Sequence, residues 1–158
     1  MPAWKEEGYH TVTAYLTVDD AEAAIEFYRN AFGATEHMRL QMGDQIGHAD
    51  ILIGDTHVML SDEFPDMGKL GPKARGGATS SLMIYVPDAD AAFDKAIAAG
   101  GELVRPVEDQ FYGDRCGSLK DPFGHEWTIS THVEDVSEEE MNKRMQAMME
   151  EGEEAGED

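Results

Sequence analysis

The stretch of sequence that decides the fold occurs twice in the chain. Residues 18–33 read VDDAEAAIEFYRNAFG and residues 86–101 read VPDADAAFDKAIAAGG, and seven of these 16 aligned pairs are identical. In each copy an aspartate, Asp20 or Asp88, precedes an alanine-rich segment whose apolar residues recur at helical spacing. An aspartate at that position accepts hydrogen bonds from the first free backbone N–H groups of a helix, and the glycines after each segment favour a helix stop. The repeat therefore predicts two equivalent helices.

Strand-like segments surround both predicted helices in the same order. One segment precedes each helix, at 11–17 and 80–85, and three follow it, at 35–42, 45–53 and 56–60 in the first copy and at 102–107, 115–120 and 125–130 in the second. Gly-Asp pairs at 43–44 and 54–55, and the Asp-Pro-Phe-Gly run at 121–124, are typical of turns between strands. Each copy is thus predicted to be a βαβββ module. The modules cover about residues 11–62 and 79–132, and a glycine- and proline-rich loop joins them.

These modules predict an α+β fold in which residues 1–133 form a single domain of two βαβββ modules paired around a cleft, followed by a C-terminal helix. Ser137 is a typical helix start, and the methionines after it recur at helical spacing, at positions 141, 145, 148 and 149. We expect this stripe to pack on the body of the chain or on a second subunit. The acidic end, residues 150–158, repels itself and has nothing to bury, so it is predicted to be disordered.

The acidic composition restricts the classes of partner. The chain has 158 residues, with 33 Asp and Glu against 12 Lys and Arg, and a net charge of −21. A surface that binds nucleic acid needs clustered Lys and Arg, so no nucleic-acid partner is expected. No apolar run approaches the roughly 20 residues of a membrane span, and the first residues lack the apolar segment of a signal peptide. With a single cysteine, Cys116, these observations predict a cytoplasmic protein without a membrane partner.

The order and spacing of the motifs resemble the vicinal oxygen chelate superfamily, which includes glyoxalase I, the bleomycin-resistance proteins and the extradiol dioxygenases. The resemblance covers about residues 11–132. It is carried by the 18–33 stretch, by its copy at 86–101 and by the Asp-Pro-Phe-Gly-His-Glu-Trp sequence at 121–127. This last motif, with residues 131–136, is similar to the PhnB-like subgroup. The resemblance implies paired modules with a ligand site in the cleft between them.

Metal-dependent members of this family hold one divalent ion with four His or Glu ligands on the first, fourth, fifth and eighth strands. The matching positions here are Thr13, Met59 or Leu60, Ser81 and Thr128. Neutral hydroxyls bind divalent ions weakly and leucine does not bind them, so we expect neither the usual metal nor another cofactor. We interpret Thr13, Ser81 and Thr128 as ligand-binding residues instead.

Glu126 and His48 are further candidates on the predicted cleft strands. Strand alternation places Glu126 on the same face as Thr128, where a carboxylate can bind a ligand or act as a catalytic base. The alternative is a rim carboxylate that only faces water. His48 lies two residues from Asp50, so both side chains share a strand face. A half-exposed histidine bonded to a neighbour is the alternative for His48.

Tyr112 and Arg115 lie in a segment that the resemblance places at the mouth of the cavity. There, Tyr112 can stack on a flat ligand and Arg115 can pair with an anionic group. The alternative is a turn in which Asp114 and Arg115 pair with each other.

The sequence therefore predicts a protein that binds a small molecule in the cleft without a metal. A homodimer is expected, because modules of the resembled type commonly pair across chains. Two alternatives remain open. One is a metal-dependent lyase or dioxygenase with ligands displaced to residues such as His48, His57 or Glu126. The other is a cofactorless isomerase or transferase that uses Glu126, His125 or Tyr112 as acid or base.

Overall fold

The structure, a computed structural model, describes residues 1–156 and contains two four-stranded sheets. The first consists of β1 (Ala14–Val18), β2 (Thr35–Met42), β3 (Gln45–Ile53) and β4 (Thr56–Asp62), in the order β1-β4-β3-β2. The second consists of β5 (Ser81–Tyr85), β6 (Glu102–Asp109), β7 (Asp114–Lys120) and β8 (Glu126–His132), in the order β5-β8-β7-β6. In each sheet the first strand pairs in parallel with the last, and the other pairs are antiparallel. The two equivalent βαβββ modules and the α+β class are confirmed.

The helices are α1 (Ala21–Phe32), the short α2 (Pro72–Arg75) in the loop between the modules, α3 (Ala89–Ala98) and α4 (Glu138–Ala155). The two repeated aspartates cap α1 and α3 as expected. The Asp20 carboxylate accepts a hydrogen bond from the Ala23 N–H at 3.0 Å, and the Asp88 carboxylate accepts one from the Ala91 N–H at 3.1 Å. Within residues 1–156, no helix combines the length and the apolar character that crossing a membrane requires.

Helices α1 and α3 contact each other and lie between the two sheets. Trp127, on the helix-facing side of β8, packs against Tyr28 and Phe32 of α1, with ring centroids 5.4 and 4.8 Å apart. Ile53 of the first sheet and Ile84 of the second line one cavity beside Phe32. The helix-facing sides of both sheets therefore share one apolar core. It follows that the opposite sides of the sheets point away from each other.

Asp121, in the turn before β8, joins the two modules through a buried carboxylate. Its Oδ2 accepts hydrogen bonds from Tyr28 Oη of α1 at 2.6 Å and from Trp127 Nε1 at 2.9 Å. Its Oδ1 accepts bonds from the backbone N–H groups of Phe123 and His125, both at 2.9 Å. Burial, and then the charge of Asp121, raise the pKa of Tyr28 well above its usual value, so its hydroxyl remains a donor. Both carboxylate oxygens are thereby satisfied, and α1 is fixed to the second module.

The C-terminal helix is longer than the sequence predicted. Glu, Met and Ala are strong helix formers, and α4 continues through Gly152 to Ala155, although disorder was expected from residue 150 onward. The final two residues of that acidic end, 157 and 158, lie outside the described residues. Arg144 attaches the helix to the body by donating to the Phe111 carbonyl at 2.9 Å and to the Glu134 carboxylate at 2.9 Å. The last three methionines of the stripe are exposed: Met145, Met148 and Met149.

The substitution Tyr28→Phe tests the bond between the modules, because it removes the hydroxyl and keeps the ring. A hydrogen bond to a charged acceptor contributes about 1.5–3 kcal/mol, so the free energy of unfolding should fall by that amount in urea titrations. Tyr15→Phe is the matched control, because Tyr15 is exposed and, within residues 1–156, its hydroxyl bonds only the half-buried side chain of His48. We expect that control to change stability by less than about 0.5 kcal/mol. Equal losses in the two variants would contradict the role of Asp121.

Candidate functional site

The sides of the sheets that face away from the helices carry most of the residues predicted to form the site. We call them the first open face, on β1–β4, and the second open face, on β5–β8. Strand alternation and register define their members. The first open face includes Tyr15, Thr17, His48, Asp50, His57, Met59 and Ser61. The second includes Ser81, Met83, Tyr85, Cys116, Ser118, Glu126, Thr128 and Ser130.

Three of the predicted site residues line one cavity on the second open face. Ser81, Glu126 and Thr128 surround a space of about 270 Å³ together with Ser118 and Arg105. Ser81 lies opposite Glu126 in the sheet, and Ser118 lies opposite Thr128 with their hydroxyl oxygens 3.0 Å apart. The cavity thus combines a carboxylate acceptor, a guanidinium donor and three hydroxyls. This set can bind a small molecule that offers both donors and acceptors.

Tyr112 lies farther along the second open face, beside Cys116. Its Oη is 3.3 Å from Cys116 Sγ, and this contact is the main cause that raises the pKa of Tyr112 to about 12. Ser130, opposite Cys116 in the sheet, is fully buried, and its hydroxyl has no hydrogen-bond partner within the part of the chain that the structure describes. A buried hydroxyl without a partner costs free energy. Ser130 is covered by its neighbours in this structure, so a ligand reaches its hydroxyl only if they move.

Thr13 and His48 lie on the first open face, apart from the cavity of the second. Thr13 directly precedes β1 and is two residues from Tyr15, so alternation places it on the same side. His48 Nδ1 is 2.9 Å from Tyr15 Oη, which matches the alternative of a histidine bonded to a neighbour. Their contact with a ligand stays a prediction. Apart from Arg115, the predicted site residues of one chain are divided between the two open faces.

A buried acid–base pair on the first open face was missed by the sequence analysis. Asp50 is fully buried in β3, and its Oδ1 is 2.8 Å from Nδ1 of His57 on β4. Tyr9, from the segment before β1, donates its hydroxyl to the other oxygen of Asp50, which raises the pKa of Tyr9 to about 12. A carboxylate within the apolar run 46–53 could have indicated this pair, because a buried charge needs partners. Nothing in the sequence around Tyr9 indicated its position.

Arg115 is placed on the helix-facing side of β7. Its guanidinium contacts the Asp90 carboxylate of α3 at 2.7 and 2.9 Å and the Asp109 carboxylate at 3.2 Å. Asp114, the preceding residue, points to the other side, where Tyr85 Oη donates to it at 2.8 Å. Consecutive strand residues face opposite sides, so Asp114 and Arg115 do not pair with each other. The structure thus separates Arg115 from the other predicted site residues.

The residues at the family's metal-ligand positions do not fit a divalent ion. Thr13, Ser81 and Thr128 offer neutral hydroxyls, Met59 offers a thioether, and Leu60 is buried on the helix-facing side. Within residues 1–156, no group of three or more His, Cys, Asp or Glu side chains is arranged to hold a metal.

The two-module architecture is shared with proteins of known family. The model of the Glyoxalase/Bleomycin resistance protein/Dioxygenase superfamily matches residues 9–129. The chain belongs to this superfamily.

The sequence similarity to relatives extends over most of the chain. An uncharacterized protein of Mycobacterium tuberculosis is 40% identical over 138 residues, which cover 85% of this chain and 81% of that protein. An uncharacterized protein of Mycobacterium bovis is also 40% identical, and the match covers 91% of its length. Among solved structures, TioX from Micromonospora is 23% identical with a TM-score of 0.60, covering 81% of this chain and all of that one. A gene product of Arabidopsis thaliana has a TM-score of 0.63 at 23% identity, and the match covers 77% of this chain and 98% of that one. At this level of identity, the structures support the superfamily fold alone.

His132, at the end of β8, predicts a pH dependence of stability. Hydrogen bonds to Asp135 and then to Asp114 raise its pKa above the usual value. Because the folded protein holds this proton more tightly than the unfolded chain, the stabilisation is full below about pH 6.5 and is lost as pH rises through the folded pKa. The difference in unfolding free energy between wild type and His132→Gln should therefore shrink from pH 6 to pH 9. A constant difference over this range would contradict the assignment, and His10→Gln, at an exposed histidine, is the control.

Proposed function

We propose that this protein binds a small molecule on its open sheet faces, without the metal that many superfamily members use. The observation that carries the proposal is the convergence of Ser81, Glu126 and Thr128 around one cavity of about 270 Å³. The sequence and its family resemblance alone predict all three residues as part of the site. The 121–127 motif supports a place in the PhnB-like subgroup, and the single cysteine supports a cytoplasmic location.

The side chains of the cavity have complementary roles in this proposal. Glu126 accepts hydrogen bonds from the ligand and is the residue positioned to act as a base, whereas Arg105 donates them. The Ser118–Thr128 hydroxyl pair can reorient to donate to or accept from a ligand atom. Together they favour a polar ligand group held by several bonds at once.

We further propose that a second copy of the chain completes the site. The two open faces of one chain point away from each other, so Thr13 and His48 cannot reach the cavity of the same chain. Both faces also expose apolar side chains, including Leu40 on the first and Met83 and Tyr85 on the second, which are 56%, 52% and 59% exposed. Apolar patches of this kind mark interaction surfaces. In the proposed homodimer, the first open face of one copy packs on the second open face of its partner. This arrangement covers the exposed apolar side chains and brings Thr13 and His48 of one copy close to the cavity of the other.

Analytical ultracentrifugation tests the dimer. The wild-type protein should sediment as a dimer, and Met83→Glu should dissociate it because the substitution buries a charge in the interface. Met67→Glu is the matched control, since Met67 is 74% exposed and lies in the loop between the modules. A wild-type monomer at every concentration, or equal effects of the two variants, would overturn the dimer.

Ligand binding is tested by a thermal-shift screen of metabolite-sized compounds, followed by calorimetry of each compound that raises the melting temperature. We expect Glu126→Gln and Thr128→Val each to weaken binding by about tenfold, because the first replaces a charged acceptor with a neutral amide and the second removes a hydroxyl. Glu138→Gln in α4 is the carboxylate control and should bind as wild type does. A compound that binds all four proteins equally would place the site elsewhere, and a screen without any stabilising compound would count against the proposed function.

A further inference from the structure

The segment 5–9 lies over the first open face and is held there by Tyr9. Tyr9 is half-buried, whereas the neighbouring residues 6–8 are exposed. Lys5 Nζ donates to the Tyr9 carbonyl, and the Tyr9 N–H donates to the Glu6 carbonyl at 3.4 Å, so the segment forms a compact turn. Gly8 has a φ of +87°, which glycine adopts without strain, and a side-chain Cβ at this position would lie 3.7 Å from His57 Nε2. Tyr9 thus attaches this segment to the sheet through a ring stack on His57 and a hydrogen bond to Asp50.

The Tyr9 ring occupies a slot built by three side chains. The imidazole of His57 is the floor, with ring centroids 3.9 Å apart and planes inclined by 15°. His37 meets His57 edge-on, with centroids 5.1 Å apart, and Asp50 closes one end. An ionised carboxylate only accepts hydrogen bonds, so both of its partners here, Tyr9 Oη and His57 Nδ1, act as donors. The slot therefore has a flat aromatic floor and a buried acceptor at its end.

The contacts of Tyr9 are those that a bound phenol would make. A flat ring stacks on the imidazole, and a ring hydroxyl donates to a buried carboxylate, which is a strong form of hydrogen bond. A ring without a donor would leave one oxygen of Asp50 unpaired, and an anionic ring substituent would be repelled by the Asp50 charge. The chemistry of the slot thus selects for a planar group that carries a donor.

We propose that this slot is an aromatic subsite of the small-molecule site, and that it takes a planar aromatic group bearing an O–H or N–H donor in place of Tyr9. The inference rests on the proposed function and adds the chemical class of one part of the ligand. Residues 6–8 beside it are exposed, so the segment can leave the sheet by local opening once the contacts of Tyr9 with Asp50 and His57 are broken. The apparent affinity for a ligand is then reduced by the fraction of molecules in which Tyr9 still fills the slot.

Binding of 2-naphthol to the full chain tests the competition with Tyr9. The Tyr9→Ala variant should bind this probe at least about tenfold more tightly than wild type, because the competing ring is gone. Tyr9→Phe should lie between them, since it keeps the stacking and loses the bond to Asp50. Trp4→Ala is the control: Trp4 lies in the same terminal segment, is 86% exposed, and its loss should leave the affinity unchanged. Equal affinities of wild type and Tyr9→Ala would overturn the proposal.

A second probe tests the need for a donor. In the Tyr9→Ala variant, 2-naphthol should bind at least about tenfold more tightly than 2-methylnaphthalene, which has the same ring system without a hydroxyl. Adding Asp50→Asn should reduce this preference, and circular dichroism checks that the double variant is folded. If the double variant does not fold, the comparison of the two probes in Tyr9→Ala still tests the donor requirement. Equal binding of both probes would show that they only fill the cavity created by removing the Tyr9 side chain. This result would overturn the requirement for a donor.

Displacement in the wild-type protein gives an independent measurement. Saturating 2-naphthol should release the Tyr9 segment and accelerate tryptic cleavage after Lys5, and an unchanged rate would contradict displacement. The naphthol experiments and the ligand screen can fail independently, so the aromatic subsite and the proposed function are tested separately. A screened compound whose binding depends on Glu126 and Thr128, together with negative naphthol results, overturns only the aromatic subsite. The absence of both kinds of binding overturns the proposed function as well.

Discussion

The buried carboxylate of Asp121 is the constraint on which the arrangement of the two modules depends. A carboxylate removed from water must have its acceptor sites filled, and here the backbone of its own turn supplies two donors, Trp127 of β8 supplies a third, and Tyr28 of the other module supplies the fourth. The same turn reaches β1, because His125 Nε2 lies 2.9 Å from the Thr17 carbonyl oxygen. Helix α1 is consequently held against the second sheet, and the open faces are directed outward.

The fold was predictable because its signals are local and occur twice. Caps at Asp20 and Asp88, glycine turns and strand alternation fix each module independently, and the repeat doubles the evidence for each element. The position of the helices between the sheets was not predictable in this way. It depends on bonds between residues far apart in sequence, such as Tyr28 and Asp121, which no periodicity reveals. Ser81 and Thr128 were predicted from the positions that the family resemblance implies, and Glu126 from its strand parity with Thr128. No local pattern indicated the contact of Tyr9 with Asp50, because the two residues lie far apart in sequence.

Three arginines each contact two carboxylates and so offset part of the large negative charge locally. Arg39 contacts Glu22 and Glu36, and Arg115 contacts Asp90 and Asp109. Arg144 does the same for Glu134 and Glu140 at the start of α4. Exposed ion pairs contribute little individually, but a cation shared by two anions reduces repulsion between them. These three arginines thus reduce the repulsion between acidic side chains that lie close together.

The common register of the two sheets lets their residues be matched one to one. Tyr15 of β1 pairs with Met59 of β4, and Met83 of β5 pairs with Thr128 of β8 in the same way. Two residues before Met59 and Thr128, His57 therefore corresponds to Glu126. On the neighbouring strands β3 and β7, Asp50 corresponds to Ser118. The same backbone template therefore presents an acid–base pair in one half and a carboxylate beside a hydroxyl in the other. A substitution on one open face leaves its counterpart untouched, so natural selection can change one half of the recognition surface while the other half keeps its chemistry.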